Sequence, residues 1–373
     1  MEITNQLTKL VSIQSEYPHE QKMGEYVVRL LKNSGYKVER QYIDSERFNV
    51  LAEKGTGKTS ILLYAHFDTV GIVEGWETDP FKLTIIGDKV YGLGAWDMKA
   101  GLLANISAFQ RCNPKNIKLK IVFCVDEEYI SLGGHTLIKS PFMDDVACVI
   151  STEPAFQHGL HGIVTGRIGR AVYDGTISTK SRHFAFYEPR YDINLVYADL
   201  LQRINTLYKK TADQKQFVFV RSVESHVVGM SIPEKIVFQL DSSVIPPKSH
   251  ASILKTLQSI AQKLEKKYNS VFSFTIQYHQ RATPFLEPYS IENNDPYLQF
   301  LKKSVTEVTK KEPLPYFRSS VADENIFGAR GITTLGIGPE GGNAHGANEW
   351  VSLQSIRKLI DILTRFISAA DEL

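Results

Sequence analysis

Hydrophobic positions in this chain fall into two kinds of run, which alternate up to about residue 160. In HEQKMGEYVVRLLKNSG the apolar stripe Met23, Tyr26, Val27, Leu30 and Leu31 has the helical period, and Gly35 stops it. FNVLAEK, SILLYAHFD, KLKIVFCVDEE and VACVISTEP are short, nearly continuous apolar runs, with the helical patterns KAGLLANISAFQRC and GGHTLIKS among them. Uninterrupted apolar strands separated by helices predict an α/β fold, a mostly parallel sheet covered on both faces. The end of the chain returns to this style with GITTLGIG and then SLQSIRKLIDILTRFISAA, a helix opened by Ser352 as N-cap. The middle differs. AVYDGTISTK, KIVFQLDSSVI and FSFTIQYHQRA alternate as half-buried strands do, interleaved with the amphipathic helices NLVYADLLQRINTLYKK and HASILKTLQSIAQKLEKKY. This predicts an α+β sandwich over 166–280 inserted into an α/β domain made of 1–165 and 281–373. A chain of 373 residues is long enough for two cores.

Composition narrows the field of functions. The chain is 43% hydrophobic and 23% charged with a net charge of +2, which gives no global argument for nucleic acid or an anionic membrane as partner. Lys263, Lys266 and Lys267 lie in a helical pattern and read as a solvated face. Cys112, Cys124 and Cys148 form no C-x-x-C pair, so we expect a reduced compartment and inert core thiols. The N-terminal segment is amphipathic, unlike a signal peptide, and no apolar stretch approaches the roughly 20 residues of a membrane span. The expectation is a cytoplasmic protein.

AEKGTGKTS has the look of a phosphate-binding loop, but Ala52 stands where the pattern needs glycine, and the segment runs into a strand instead of opening a helix. FNVLAEK-GTGKT-SILLYA reads instead as a β-hairpin.

The chemistry collects at strand ends. His66 and Asp68 close one apolar run and face the same way, because side chains alternate along a strand. A second run ends in Asp126-Glu127-Glu128, a third in Glu153-Pro154, and a fourth leads through glycines to His345. Asp97 sits between the first two, just before a helix. Alone, each has an ordinary explanation: a polar pair, a solvated turn, a helix cap. Together they bring imidazoles and carboxylates to the carboxyl edge of an α/β sheet, where ligands bind. Mixed N/O donors without thiolate suit an open, catalytic site for zinc or a related divalent ion. His19, His135, His158, His161, His226, His250 and His279 lack such context and read as surface or core residues.

The ordered set HFD, GLGAWDMKAG, DEE, TEP and NAHGANE resembles the co-catalytic zinc amidohydrolases, the family of acetylornithine deacetylase, succinyl-diaminopimelate desuccinylase, acetyl-lysine deacetylase, aminoacylase and carboxypeptidase G. The resemblance covers nearly the whole chain, the inserted lid or dimerisation domain included. It implies two zinc ions, with cobalt or manganese as alternatives. His66 and Glu153 would hold one, Glu128 and His345 the other, and Asp97 would bridge them. Asp68 would hydrogen-bond the far nitrogen of His66. Glu127 would be the general base for a metal-bridging hydroxide that attacks an amide carbonyl. The resemblance also implies a cis peptide at Asp97–Met98. In STKSRHFAFYEPRYDIN, His183 would take the position of a histidine that donates to the oxyanion, reaching the neighbouring subunit of a homodimer through the lid.

Two departures bear on the substrate. Many members carry arginine two residues after the aspartate of a lid strand, where this chain has Ser243, and the family's Gly-Gly-Thr-Ser-Asp stretch is replaced by FRSSVADENIF. Asp323 keeps the acidic position, and Arg318 supplies a planar cation able to grip the substrate carboxylate in place of the lid arginine. Glutamate at position 153 is the choice of deacylase and carboxypeptidase-like members. The expected function is therefore removal of an acyl group from a small N-acyl amino acid. The alternatives are a carboxypeptidase or dipeptidase of the same fold acting on short peptides and, more remotely, a non-catalytic binding protein, against which retention of Glu127 and the full ligand set argues.

Overall fold

The computed structural model describes residues 3–156, 158–211 and 214–373, and the chain divides into two compact units. The first comprises Met1–Gly166, Ile291–Tyr316 and Ala322–Leu373; the second comprises Arg167–Ser290 with Phe317–Val321, running past the expected return at Arg281.

The central sheet of the first unit is ordered Val38–Tyr42, Phe48–Lys54, Lys118–Cys124, Ser60–His66, Val146–Ser151, Thr333–Gly336, Gly162–Arg167. The middle four strands are parallel and the flanking pairs antiparallel, so the sheet is mixed and parallel at its heart. Every residue of Ser60–His66 is buried, which is why its sequence shows no alternation. Helix Leu353–Ala370 packs on both Ala100–Arg111 and Pro296–Thr309, and Gln21–Asn33 packs on Phe48–Lys54. Leu63, Phe109, Ile121, Leu359 and Phe366 are among the fully buried side chains of this core, each stabilising the fold by about 1.5–3 kcal/mol. Ser352 caps Leu353–Ala370 as expected, its Oγ accepting from the Ser355 N–H at 3.1 Å. The three cysteines are free and buried. No helix among the described residues is long and apolar enough to cross a membrane.

One local expectation fails. Phe48–Lys54 and Ser60–His66 do not form a hairpin, because Lys118–Cys124 lies between them, antiparallel to the first and parallel to the second. The connecting loop spans two strand spacings, nearly 10 Å, instead of one. It crosses the start of the intervening strand so closely that a Cβ on Gly57 would lie 2.1 Å from the Asn116 carbonyl oxygen. The glycines serve that close approach, not a tight turn.

The second unit is built on an antiparallel sheet ordered Lys209–Lys210, Lys215–His226, Lys235–Val244, Gly169–Ser178, Ser273–Tyr278, with its own core around Leu240, Leu257 and Phe272. Helices Ile193–Asn205 and His250–Lys267 pack on this sheet and on each other. Lys215–His226 is a strand that the alternation does not reveal. Its outer half, from Arg221 to His226, is exposed throughout, so no apolar face marks it.

Candidate metal centre

Parallel strands deliver their carboxyl ends to one edge, and this chain uses three of them. His66 is the last residue of Ser60–His66 and is 1% exposed. Glu127 and Glu128 follow Lys118–Cys124 by way of Asp126, whose φ of 70° is left-handed. Asp126 itself turns away, its Oδ2 accepting from the Leu132 N–H at 3.0 Å. Glu153 follows Val146–Ser151. Asp97 lies in a wide helical turn, Ala95–Lys99, that departs from helical dihedrals at Asp97 and Met98, and the peptide between them is cis, as the resemblance implied. Gly94, with φ of 70°, admits this turn: a Cβ there would meet Thr69 Cγ2 at 2.4 Å. His345 approaches from the loop after Thr333–Gly336 and is half exposed.

These side chains converge. His66 Nε2 lies 3.5 Å from Asp97 Oδ1 and 3.4 Å from Glu153 Oε2. The other Asp97 oxygen, Oδ2, lies 3.4 Å from His345 Nε2, which is 2.9 Å from Glu128 Oε1. Two groups of ligand atoms, each within 4.8 Å of one another, therefore share Asp97: His66–Asp97–Glu153 and Asp97–Glu128–His345. His66, Glu127 and Glu128 form a third such grouping.

The residues fit a divalent cation by an independent observation. His66 Nε2, Asp97 Oδ1 and Glu153 Oε2 are all buried without a hydrogen-bond partner. Orphaned buried polar atoms are costly and rare, and three aimed at one point are what a cation would satisfy together. Electrostatics agree. Burial pushes Glu127 well above the ordinary carboxylate range, raises Glu128, and brings Glu153 up to about 7. Burial opposes a charged His66, yet the carboxylates of Asp68, Asp97 and Glu153 hold its pKa well above the usual value. Hydrogen bonding to the Asp97 and Glu128 carboxylates brings His345 up to about 11. So many carboxylates at one point draw positive charge to it.

A further layer fixes these groups. His66 Nδ1 is 3.1 Å from the Asp68 carbonyl oxygen and 3.3 Å from Asp68 Oδ1, while Asp68 Oδ2 accepts from the Glu128 N–H at 2.9 Å. Asp68 thus ties together two strand ends. Glu127 Oε1 accepts from the Asp323 N–H at 3.3 Å, and Asp323 Oδ2 accepts from the buried Tyr64 hydroxyl at 2.7 Å. Tyr64, part of an apolar run in the sequence, is a polar brace; its place two residues before His66 is the only signal the sequence offers.

His183 and Arg318 lie in the second unit. His183 is exposed, with Nδ1 accepting from the Ala185 N–H at 3.2 Å. Arg318 is buried, and its carbonyl accepts from the Ile168 N–H at 3.1 Å. Ser243 is buried, its hydroxyl donating to the Lys215 carbonyl at 2.8 Å. Its cross-strand partner is Arg170, whose half-exposed guanidinium makes two bonds to Asp241, at 3.1 and 2.7 Å. An arginine therefore stands one strand away from the serine, a placement only the register discloses.

Comparison with known proteins identifies the family and the fold. Residues 62–369 match the model of peptidase family M20/M25/M40. The chain is 24% identical to a succinyl-diaminopimelate desuccinylase from Sulfurovum, over 98% of each chain. It is 34% identical to an acetylornithine deacetylase from Pasteurella multocida over 48% of this chain and 47% of that one. A dinuclear metal-binding peptidase from Bacillus subtilis has the same fold, with a TM-score of 0.75 at 12% identity over 99% and 98% of the two chains. The match over most of its length makes this chain a hydrolytic enzyme of peptidase family M20/M25/M40.

Proposed function

We propose that the chain removes the acyl group from an N-acyl amino acid by metal-dependent hydrolysis of the amide. One observation carries the metal-dependent part: the two oxygens of Asp97 face two different histidines, each with its own carboxylate partner. Asp97 would be shared by two cations, with His66 and Glu153 holding one and Glu128 and His345 the other. Two divalent ions there, zinc first and cobalt or manganese as alternatives, would polarise the amide carbonyl and lower the pKa of water toward about 7. Glu127 takes the proton from water and returns it to the departing amine nitrogen. The Asp323 N–H holds the Glu127 carboxylate for that transfer. Asp68 orients the His66 ring and the Glu128 backbone at once. The role of His183 at the oxyanion rests on resemblance of sequence, as does homodimerisation through the second unit; that of Arg318 at the substrate carboxylate rests on a planar cation in a stretch where the sequence departs from the family.

The names of the desuccinylase and deacetylase relatives favour the acyl amino acid as substrate. The Bacillus subtilis relative is a peptidase, which keeps a dipeptide as the second reading, since both substrates present the same amide. Free-amine release from N-acyl amino acids and dipeptides, with and without chelator, decides between them. Chelator-sensitive cleavage of acylated amino acids alone is expected; cleavage mainly of dipeptides would install the second reading.

A further inference from the structure

We propose that Glu349 is a positioning residue that sets the orientation of Asp97 and hence the fit of both metal positions. This inference rests on the two-cation reading of the site. Glu349 is 1% exposed, and its carboxylate gathers three backbone N–H groups of the turn that carries Asp97. Oε1 accepts from Trp96 and from Asp97 itself, both at 2.8 Å, and Oε2 accepts from Gly94 at 2.7 Å. Gly94, Trp96 and Asp97 stand at the N-cap and in the first turn of Ala95–Lys99, where N–H groups have no acceptor within the helix, and one anion serves all three. Charge-assisted bonds of this kind are short and directional.

The location adds a second link. Glu349 immediately precedes Trp350–Ser352, whose Trp350 pairs with Tyr91, and its carbonyl accepts from the Gly92 N–H at 3.1 Å. Four residues upstream, the same loop presents His345, held at a left-handed φ of 59°. Between them Asn348 anchors the loop, its Oδ1 accepting from the Glu77 N–H at 2.9 Å. One short loop therefore delivers a candidate ligand from outside and clamps the backbone of Asp97 from beneath. The 3.4 Å separation of His345 Nε2 from Asp97 Oδ2 is fixed by that double engagement.

Glu349→Gln tests the clamp, because an amide turns its NH2 toward an N–H donor; Glu349→Asp retains charge but shortens the reach. The readouts are zinc and cobalt stoichiometry and affinity by equilibrium dialysis, with circular dichroism to establish folding. The expected result is a folded Glu349→Gln chain whose affinity falls about 10- to 100-fold at one or both positions, with Glu349→Asp between it and the wild type. A folded Glu349→Gln chain binding two ions with wild-type affinity overturns the proposal alone; a wild-type chain binding no divalent ion overturns it together with the metal reading. Should the variants not fold, hydrogen exchange on the wild-type chain decides. Strong protection at the amides of Gly94, Trp96 and Asp97, with and without zinc, supports the clamp, and exchange at loop rates refutes it.

Discussion

At the scale of single residues the site is a set of unequal carboxylates. Glu127 and Glu128 are neighbours in sequence, yet Glu128 meets His345 at 2.9 Å while Glu127 accepts from the Asp323 N–H. Glu127→Gln is expected to abolish turnover while leaving metal content intact, as metal analysis beside the amine-release assay would show; persistent turnover would remove Glu127 as base. Asp68→Asn keeps the shape but loses the carboxylate that accepts from Glu128 and approaches His66. Metal affinity is expected to drop about 10-fold or more, readable by chelator competition. His66, Glu128, Glu153 and His345 are legible in the sequence because strand-terminal polar residues after apolar runs stand out. Glu349 closes the NAHGANE stretch, but its role is not legible, since its three N–H partners lie some 250 positions away. Arg170 is invisible for a related reason: its relation to Ser243 exists only across a strand pair.

At the scale of elements, what the sequence conveys is type, and what it withholds is pairing. Apolar runs identify five strands of the central sheet but not Val38–Tyr42 or Gly162–Arg167, and the Ser352 cap and the Gly35 stop mark helix ends correctly. Ser352→Ala is expected to cost about 1 kcal/mol in urea unfolding, because an orphan N–H of Leu353–Ala370 loses its acceptor. The loop containing Gly55 and Gly57 misleads, since glycine marks a tight turn and a close crossing equally well. Gly57→Ala tests the crossing. Gly57 does not have a positive φ, so alanine would be tolerated there without the crossing, whereas contact with the Asn116 backbone predicts a loss of about 1–3 kcal/mol. Lys215–His226 escapes detection because half of it carries no apolar face, and periodicity reports burial more directly than it reports strand geometry.

For the molecule as a whole, the two cores are separate sets of side chains. Leu257→Ala, in the second, is expected to cost about 2–5 kcal/mol with metal stoichiometry unchanged. Acid sensitivity has an identifiable contributor in the first unit. Burial opposes the charge on Asp145, but bonds from Lys118, at 2.7 Å, and from Lys120 bring its pKa down to about 2. A depressed carboxylate pKa stabilises the fold above about pH 4, the unfolded value, and that contribution disappears as pH falls toward 2. Asp145→Asn should lower stability by about 2 kcal/mol at neutral pH and flatten this part of the acid limb in pH-dependent denaturation. The insertion of one fold within another is legible from the change in pattern near Gly166; the assignment of Phe317–Val321 to the second unit is not, because five residues hold no period. The candidate metal centre is also lopsided, with His66 1% exposed and the His345 side chain 51% exposed. Such a centre has a front door and a vault. The ion beside His345 would exchange with the medium quickly and the one beside His66 slowly, so brief chelation followed by a different metal should yield a chain carrying two unlike ions, each in a known seat.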